Sequence, residues 1–291
     1  MKNQIEYLLF RFFRFIILNL SLKNAQQLGL KLANIFFIIL TRRKQIAADN
    51  LRQAFPEKSD KEILRIAKNA FQNFGITIVE LLWFPRLTPE ILDNLIKYKN
   101  LELMMNRYKE GKGVIMLSGH FGNWELLAFA TGFISKISMI MIAKTQTNLL
   151  VDKIINEHRT LFGNKVVPME VAVREVLSSL NKGGIVAMIA DQSAPKESLF
   201  VNFFGKKVAT FQGPAVFGLR TGAAMQMGII IRKPDFTYEV IIEEIQTSDL
   251  TEYNEANVYE LTQRHTAVLE KYIRLYPEQW MWTHRRWKNI K

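Results

Sequence analysis

Two kinds of spacing divide the chain. Up to about residue 112, apolar residues recur at three- and four-residue intervals, the period of helices with one buried face. "IEYLLFRFFRFIILNL" places Ile5, Leu8, Leu9, Phe12, Phe13, Ile16, Ile17 and Leu20 on such a stripe, with Arg11 and Arg14 on another face. A second apolar run, "LGLKLANIFFIIL", is broken by Lys31 and Asn34 and ends in "TRRK". "SDKEILRIAKNAFQNFGITIVELLWF" opens on Ser59 or Asp60 as a cap and keeps helical period to Pro85.

From residue 113 the texture changes. Short β-prone runs appear: "GVIMLS", "ISMIMI", "KVVP", "GIVAMIA", "MGIIIR" and "TYEVIIEEI". Helical stretches at 124–133, 148–162, 171–181 and 214–224 separate them, and a last helix covers 253–275. This alternation predicts an α/β fold, a mixed and partly parallel sheet flanked by helices. The segment 191–212 has neither period and reads as a long loop over the sheet edge. The expected organisation is a membrane-associating pair of helices at 1–44, then one α/β domain at 45–291 with a helical lead-in at 45–112.

Composition sharpens this reading. The 291 residues contain no cysteine, which excludes disulfides, thiolate metal sites and thiol catalysis. The net charge of +12 favours polyanionic partners. Basic residues are scattered and no nucleic-acid module is visible, so no nucleic acid is expected. Neither N-terminal run is a clean apolar span, and arginines interrupt what would be a signal peptide. An amphipathic helix with arginine on its polar side suits a membrane interface, with Arg42, Arg43 and Lys44 toward anionic lipid; a single span is the other form of attachment.

The chemistry concentrates in "LSGHFGNWELLAFA", residues 117–130. A buried strand leads to His120, and a helix follows with Asn123 as N-cap and Glu125 in its first turn. His120 then lies at the carboxyl end of a strand, where open α/β sheets bind ligands. Gly119 and Gly122 allow a tight turn and close approach of substrate. The turn can fold Glu125 back onto His120 to orient and stabilise the imidazole, making His120 a general base, with helix-start amides for an oxyanion. The competing reading is a structural turn histidine. His265 and Glu270 share the spacing inside one helix and carry no such context. Nucleophile elbow, nucleotide loop and metal motif are all missing, so no cofactor or metal is expected. A base without these suits direct transfer between two bound substrates.

"HFGNWE", "ADQ", "FFGKK" with "FQGPAVFGLRTGA", and "PEQWMWTHRRWK" together resemble the bacterial late acyltransferases of lipid A biosynthesis, over most of the chain. The resemblance implies a glycerolipid acyltransferase-like fold on the cytoplasmic face of the inner membrane. It implies an acyl donor on acyl carrier protein and a phosphorylated glycolipid acceptor. It makes His120 and Glu125 catalytic and gives Arg159 a substrate phosphate, the alternative being a solvated helix arginine. Asp191 and Gln192 position substrate or pair with Arg159, unless Asp191 is only a cap; Gly122 and Asn123 join the substrate-binding set. Trp280, Trp282 and Trp287 with His284, Arg285 and Arg286 form either an interfacial patch or part of the core. "AKTQTNLLVDK" departs from the family pattern of arginine followed by Asn-Pro, which leaves acceptor and acyl chain open. A His-dependent lipid hydrolase and a non-enzymatic basic membrane-binding protein are the readings from other classes.

Overall fold

The computed structural model describes residues 2–290. Four helices come first: α1 (Lys2–Leu18), α2 (Leu22–Ile39), α3 (Thr41–Ala54) and α4 (Asp60–Trp83). Ser59 caps α4, accepting from the Glu62 amide while the Glu62 carboxylate takes the Ser59 amide. α4 ends in a short 3₁₀ turn at Phe84–Arg86. α2 crosses α4 where Gly29 faces Gly75: a Cβ on Gly29 would sit 2.8 Å from the Gly75 carbonyl oxygen. Side chains any larger would hold the two helices apart.

The remainder runs α5 (Pro89–Leu95), β1 (Ile96–Lys99), α6 (Leu101–Lys109), β2 (Val114–Ser118), α7 (Trp124–Ser135), β3 (Met139–Ala143), α8 (Leu149–Thr160), β4 (Lys165–Pro168), α9 (Ala172–Asn181) and β5 (Ile185–Ile189). It continues with β6 (Leu199–Phe203), β7 (Lys206–Thr210), α10 (Gly213–Thr221), β8 (Ala224–Arg232), β9 (Tyr238–Ile245) and α11 (Glu255–Leu275). Seven strands form one sheet in the order β1-β9-β8-β2-β5-β3-β4. β8, β2, β5, β3 and β4 run parallel; β9 is antiparallel to β8, and β1 is parallel to β9. The fold is therefore α/β with a mixed, mostly parallel sheet. Side chains alternate between faces. Ile115 and Leu117 meet the core formed with α9, α10 and α11, while Val114 and Met116 meet the core formed with α5, α6 and α7. α4 contributes to both cores: Ile63 to Phe71 to the first, Val79 to Trp83 to the second.

Three expectations need correction. The segment 191–212 is not a plain loop, because it contains the antiparallel β6–β7 hairpin, turned at Phe204 and Gly205, both at positive φ. Two residues at positive φ give the tight turn that matches strand twist. The helical lead-in also hides a strand, β1, at one edge of the sheet. The C-terminal tryptophans are not interfacial: Trp280, Trp282 and Trp287 are buried and packed with Phe203 and Phe204.

Among the described residues no helix is long and apolar enough to cross a membrane, so the form of attachment with a single span has no support. α1 has two apolar faces rather than one. Ile17 is buried and Phe10 and Phe13 pack inward, while Ile5, Leu8, Leu9, Phe12 and Phe15 are each more than half exposed.

One polar cluster fastens these layers. Glu80 on α4 is buried. Its Oε1 accepts from Gln26 at 2.7 Å; its Oε2 accepts from Asn123 at 2.7 Å, from Arg232 at 2.9 Å and from the Tyr238 hydroxyl. Arg232 also donates to Thr77 and Asn73. Removing one partner of a buried ion pair leaves the other charge unpaired in a poor solvent, which typically costs about 3–5 kcal/mol. Arg232→Met should lose stability on that scale in urea unfolding. Adding Glu80→Gln to the same chain should recover part of the loss; equal losses in both proteins would show that the pair is not coupled.

Candidate active site

β2 and β5 are neighbours, and their register sets the site. Ser118 pairs with Ile189. Two residues further along each strand stand His120 and Asp191, side by side at the carboxyl end of the sheet. Asp191 Oδ1 lies 2.7 Å from His120 Nδ1, and its Oδ2 accepts the His120 amide at 2.6 Å and the Trp280 indole N–H at 2.8 Å. With Nδ1–H donating to the carboxylate, the lone pair of the imidazole falls on Nε2. Nε2 has no partner among the described residues, and 22% of the His120 side chain stays exposed, against 2% for Asp191. Burial alone would lower the His120 pKa. The Asp191 charge and hydrogen bond, reinforced by the Glu125 charge, outweigh it and hold the pKa above 6.5, with Arg159 opposing. Asp191 is held below its ordinary carboxylate value: burial would raise it, and the His120 charge and hydrogen bonds win.

The turn between strand and helix is clamped on both sides. The Gly122 amide donates to the Gln279 carbonyl at 2.8 Å, and the Met281 amide donates to the His120 carbonyl at 3.0 Å. The Gly122 carbonyl accepts from Asn73 and Thr77 of α4. Gly122 has φ +57°, and a Cβ there would fall 1.8 Å from the Ile230 carbonyl oxygen. Only glycine fits.

Other residues of the predicted site are placed differently from expectation. Glu125 does not touch His120. Its two oxygens accept from Arg159 Nε at 2.8 Å and Nη2 at 2.6 Å, and the pair is largely buried. The cause is helical geometry: the first turn of α7 points Glu125 toward the last turn of α8, while the shorter route to His120 runs across the sheet from Asp191. Arg159 pairs with Glu125 rather than Asp191, and its remaining Nη1 donates to Asn156. It is thus not a solvated arginine: its guanidinium is engaged by Glu125 and Asn156. Burial would lower its pKa, but Glu125 raises it. Asn123 is the N-cap, accepting the Leu126 amide, and is fully buried against Glu80, so it supports the turn from behind rather than facing a substrate. Gln192 lies half-buried beside Asp191. Spacing to the strand ends, "MLSGH" beside "AMIAD", is the sequence signal that could have joined His120 to Asp191, and it needs the strand order to be read. Trp280 has no such signal.

An apolar groove of about 490 Å³ approaches this site. Phe36, Phe71, Phe74, Ile78 and Met281 are among its walls. Met281 is bonded to the His120 backbone, and Phe74 stacks on Trp124, whose ring lies edge-on to His120 at 5.1 Å.

Comparison with known proteins places the chain in a family. The family model described as bacterial lipid A biosynthesis acyltransferase matches residues 3–289. A lipid A biosynthesis palmitoleoyltransferase of Escherichia coli (strain K12) is 28% identical over 266 residues, covering 90% of this chain and 84% of that protein. A lipid A biosynthesis lauroyltransferase of the same organism is 26% identical over 278 residues, covering 94% and 88%. A lipid A biosynthesis acyltransferase of Shigella flexneri is 28% identical over 266 residues, covering 90% and 84%.

The His120–Asp191 pair has a titration signature. Because the folded pKa of His120 is raised and that of Asp191 lowered, the pair stabilises the fold fully between about 4 and about 6.5; that contribution fades as pH rises through the folded His120 value and as pH falls through the folded Asp191 value. NMR titration of the His120 ring should give a midpoint above 6.5. In Asp191→Asn the midpoint should fall, since burial is then unopposed by the nearest charge. An unchanged midpoint would remove Asp191 as the cause.

Proposed function

We propose that this chain, a member of the bacterial lipid A biosynthesis acyltransferase family and therefore an acyltransferase, moves a fatty acyl group from a thioester to a hydroxyl of a lipid A-type glycolipid, with His120 as general base. The observation that carries this reading is the His120–Asp191 pair, with Nε2 unpartnered among the described residues and the turn joined through Met281, and through Trp124 and Phe74, to an apolar groove. His120 Nε2 takes the proton of the acceptor hydroxyl as the oxygen attacks the thioester carbonyl carbon. The carbonyl oxygen becomes an oxyanion beside the positive start of α7. The C–S bond then breaks, and the proton on Nε2 passes to the departing thiolate, leaving an ester and a thiol. Asp191 holds the imidazole in the required tautomer and stabilises its protonated form. Glu125, paired with Arg159, raises the His120 pKa from the α7 side without touching the ring, and Arg159 opposes it. Acyl carrier protein is the proposed carrier of the thioester, and the apolar groove the proposed bed of an acyl chain.

The place of action in this reading is the inner membrane, cytoplasmic face, reached through α1 and α2. The exposed faces of the two helices, with Ile35, Ile38 and Ile39 on α2, make an apolar surface larger than isolated side chains need. These residues border the same helices that wall the groove.

Two measurements test this reading. His120→Ala should fold as the native chain does and lose acyl transfer by about 10²–10⁴-fold, the usual worth of a general base; the assay is mass spectrometry of the glycolipid after incubation with acyl carrier protein thioester. Near-normal transfer would sink the mechanism, and free fatty acid released without acceptor would make the protein a hydrolase. Separately, Phe12→Asp with Ile38→Asp should shift the protein from vesicles to supernatant in co-sedimentation. Unaltered pelleting would place the lipid contact elsewhere.

A further inference from the structure

Beside the groove opens a second cleft, of about 740 Å³, on the far side of the loop that follows Asp191. Its charged lining is Arg42, Arg43, Arg285 and Lys288, and no acidic residue lines it. These cations come from two distant segments, the first turn of α3 and the C-terminal tail. No carboxylate pairs with any of the four among the described residues: Arg43 donates to the Thr283 carbonyl, and the other three side chains have no polar partner within hydrogen-bonding distance. Gathering four like charges without counter-charge works against folding.

The arrangement at α3 works against folding a second time. Arg42 and Arg43 sit in the first turn of a helix, the end where the backbone already presents positive charge. The first turn has no acidic residue, and the preceding Leu40 offers no side-chain cap. Four cationic side chains without a carboxylate partner thus line one concavity beside an uncapped helix start, an arrangement an anion would satisfy. The cleft also meets the groove. Arg43 and His284 line both. His284 Nε2 accepts the Ser193 amide at 3.1 Å, two residues beyond Asp191, which joins this corner to the His120 site. A cation-lined cavity and an apolar one sharing a wall fit one amphiphile with an anionic head.

We propose that the cleft is a phosphate subsite, in which Arg42, Arg43, Arg285 and Lys288 hold the phosphorylated headgroup of the glycolipid acceptor while its chains run along the apolar groove. The proposal rests on the acyl-transfer reading for the identity of the acceptor. It moves the phosphate contact away from Arg159, which is occupied by Glu125.

The test uses the full chain carrying His120→Ala, so that binding is read without turnover. The probe is a phosphorylated lipid A-type glycolipid in nonionic detergent, beside the same glycolipid after phosphatase treatment. The unmodified cleft should prefer the phosphorylated form by about 10- to 100-fold, the worth of one or two charge-assisted hydrogen bonds. Added salt should shrink that preference. Arg42→Gln with Arg285→Gln should erase it, and inorganic pyrophosphate should compete only with the unmodified cleft. Because the cations repel one another, the double variant should melt no lower than its parent, which separates a binding role from a structural one. If the double variant does not fold, Lys288→Gln alone carries the same comparison. The proposal is overturned if the preference survives the substitutions, or if both forms of the glycolipid weaken equally. It is also overturned if only acyl carrier protein binding is lost, or if only adhesion to phosphatidylglycerol vesicles is lost. Phosphate preference in the wild-type chain without any acyl transfer would leave the subsite standing and remove the transfer reading; transfer without preference would do the reverse.

Discussion

A buried carboxylate organises the molecule. Glu80 lies in the interior of α4, where an unpaired charge would be costly, and it is satisfied by donors from four other places: Gln26 on α2, Asn123 at the start of α7, Arg232 on β8 and Tyr238 on β9. Each donor has its own dependents. Asn123 caps α7, and Arg232 reaches back to Asn73 and Thr77 of α4. Asn73 and Thr77 in turn hold the Gly122 carbonyl. The turn that carries His120 is therefore fixed by charge satisfaction beneath it, not by its own sequence alone. Burial and a neighbouring charge pull on Arg232 and on Tyr238 in opposite senses. Burial would lower the Arg232 pKa, but Tyr238 and Glu80 raise it. Burial also drives the Tyr238 pKa well up, which keeps its hydroxyl a donor to Glu80.

Above that base, two carboxylates near His120 are separated by their partners. Asp191 spends both oxygens on the His120 side, on Nδ1, the His120 amide and Trp280. Glu125 spends both oxygens on Arg159. The result is one carboxylate in contact with the ring and one acting on it only at a distance. Neither could exchange places with the other. Asp191 without His120 would be buried and uncompensated, and Glu125 without Arg159 likewise. Trp280 links this division to the C-terminal segment, whose backbone bridges to Phe121 and caps the far side of the site.

How much of this was legible in the sequence follows from distance along the chain. The strand ending at Ser118, the Asn123 cap and the helix after it are local features, read from "GVIMLSGHFGNWELL" by period and cap chemistry. The capping box at Ser59 was equally local. The partner of His120 was not: it depends on β5 inserting between β2 and β3, and a contact five residues away in sequence looked shorter than one across the sheet. The β6–β7 hairpin was missed because its turn uses Phe204 where asparagine or aspartate is usual. β1 was missed because four residues after a seven-residue helix leave no period to measure. The stripe on α1 was seen, but the second apolar face carrying Phe15 required knowing which side packs.

The places where local rules fail divide into two sorts. Phe204 at positive φ is compensated within the fold: its ring meets Phe55, Trp282 and Trp287, and Arg274 lies over it at 4.3 Å. Those contacts over-determine the strained backbone. The other failures have no such compensation inside the chain. Exposed apolar side chains on α1 and α2, an apolar groove walled by the same helices, and four cations around an uncapped helix start adjoin one another. Each alone would be a small defect in stability. Their adjacency is what distinguishes them, because a defect retained by chance has no reason to border another. In the proposed reading, apolar surface, apolar cavity and unpaired positive charge are together the complement of an acyl chain and an anionic head. The fold satisfies its own interior through Glu80 and leaves its unsatisfied surfaces together at one end, where a lipid would meet them.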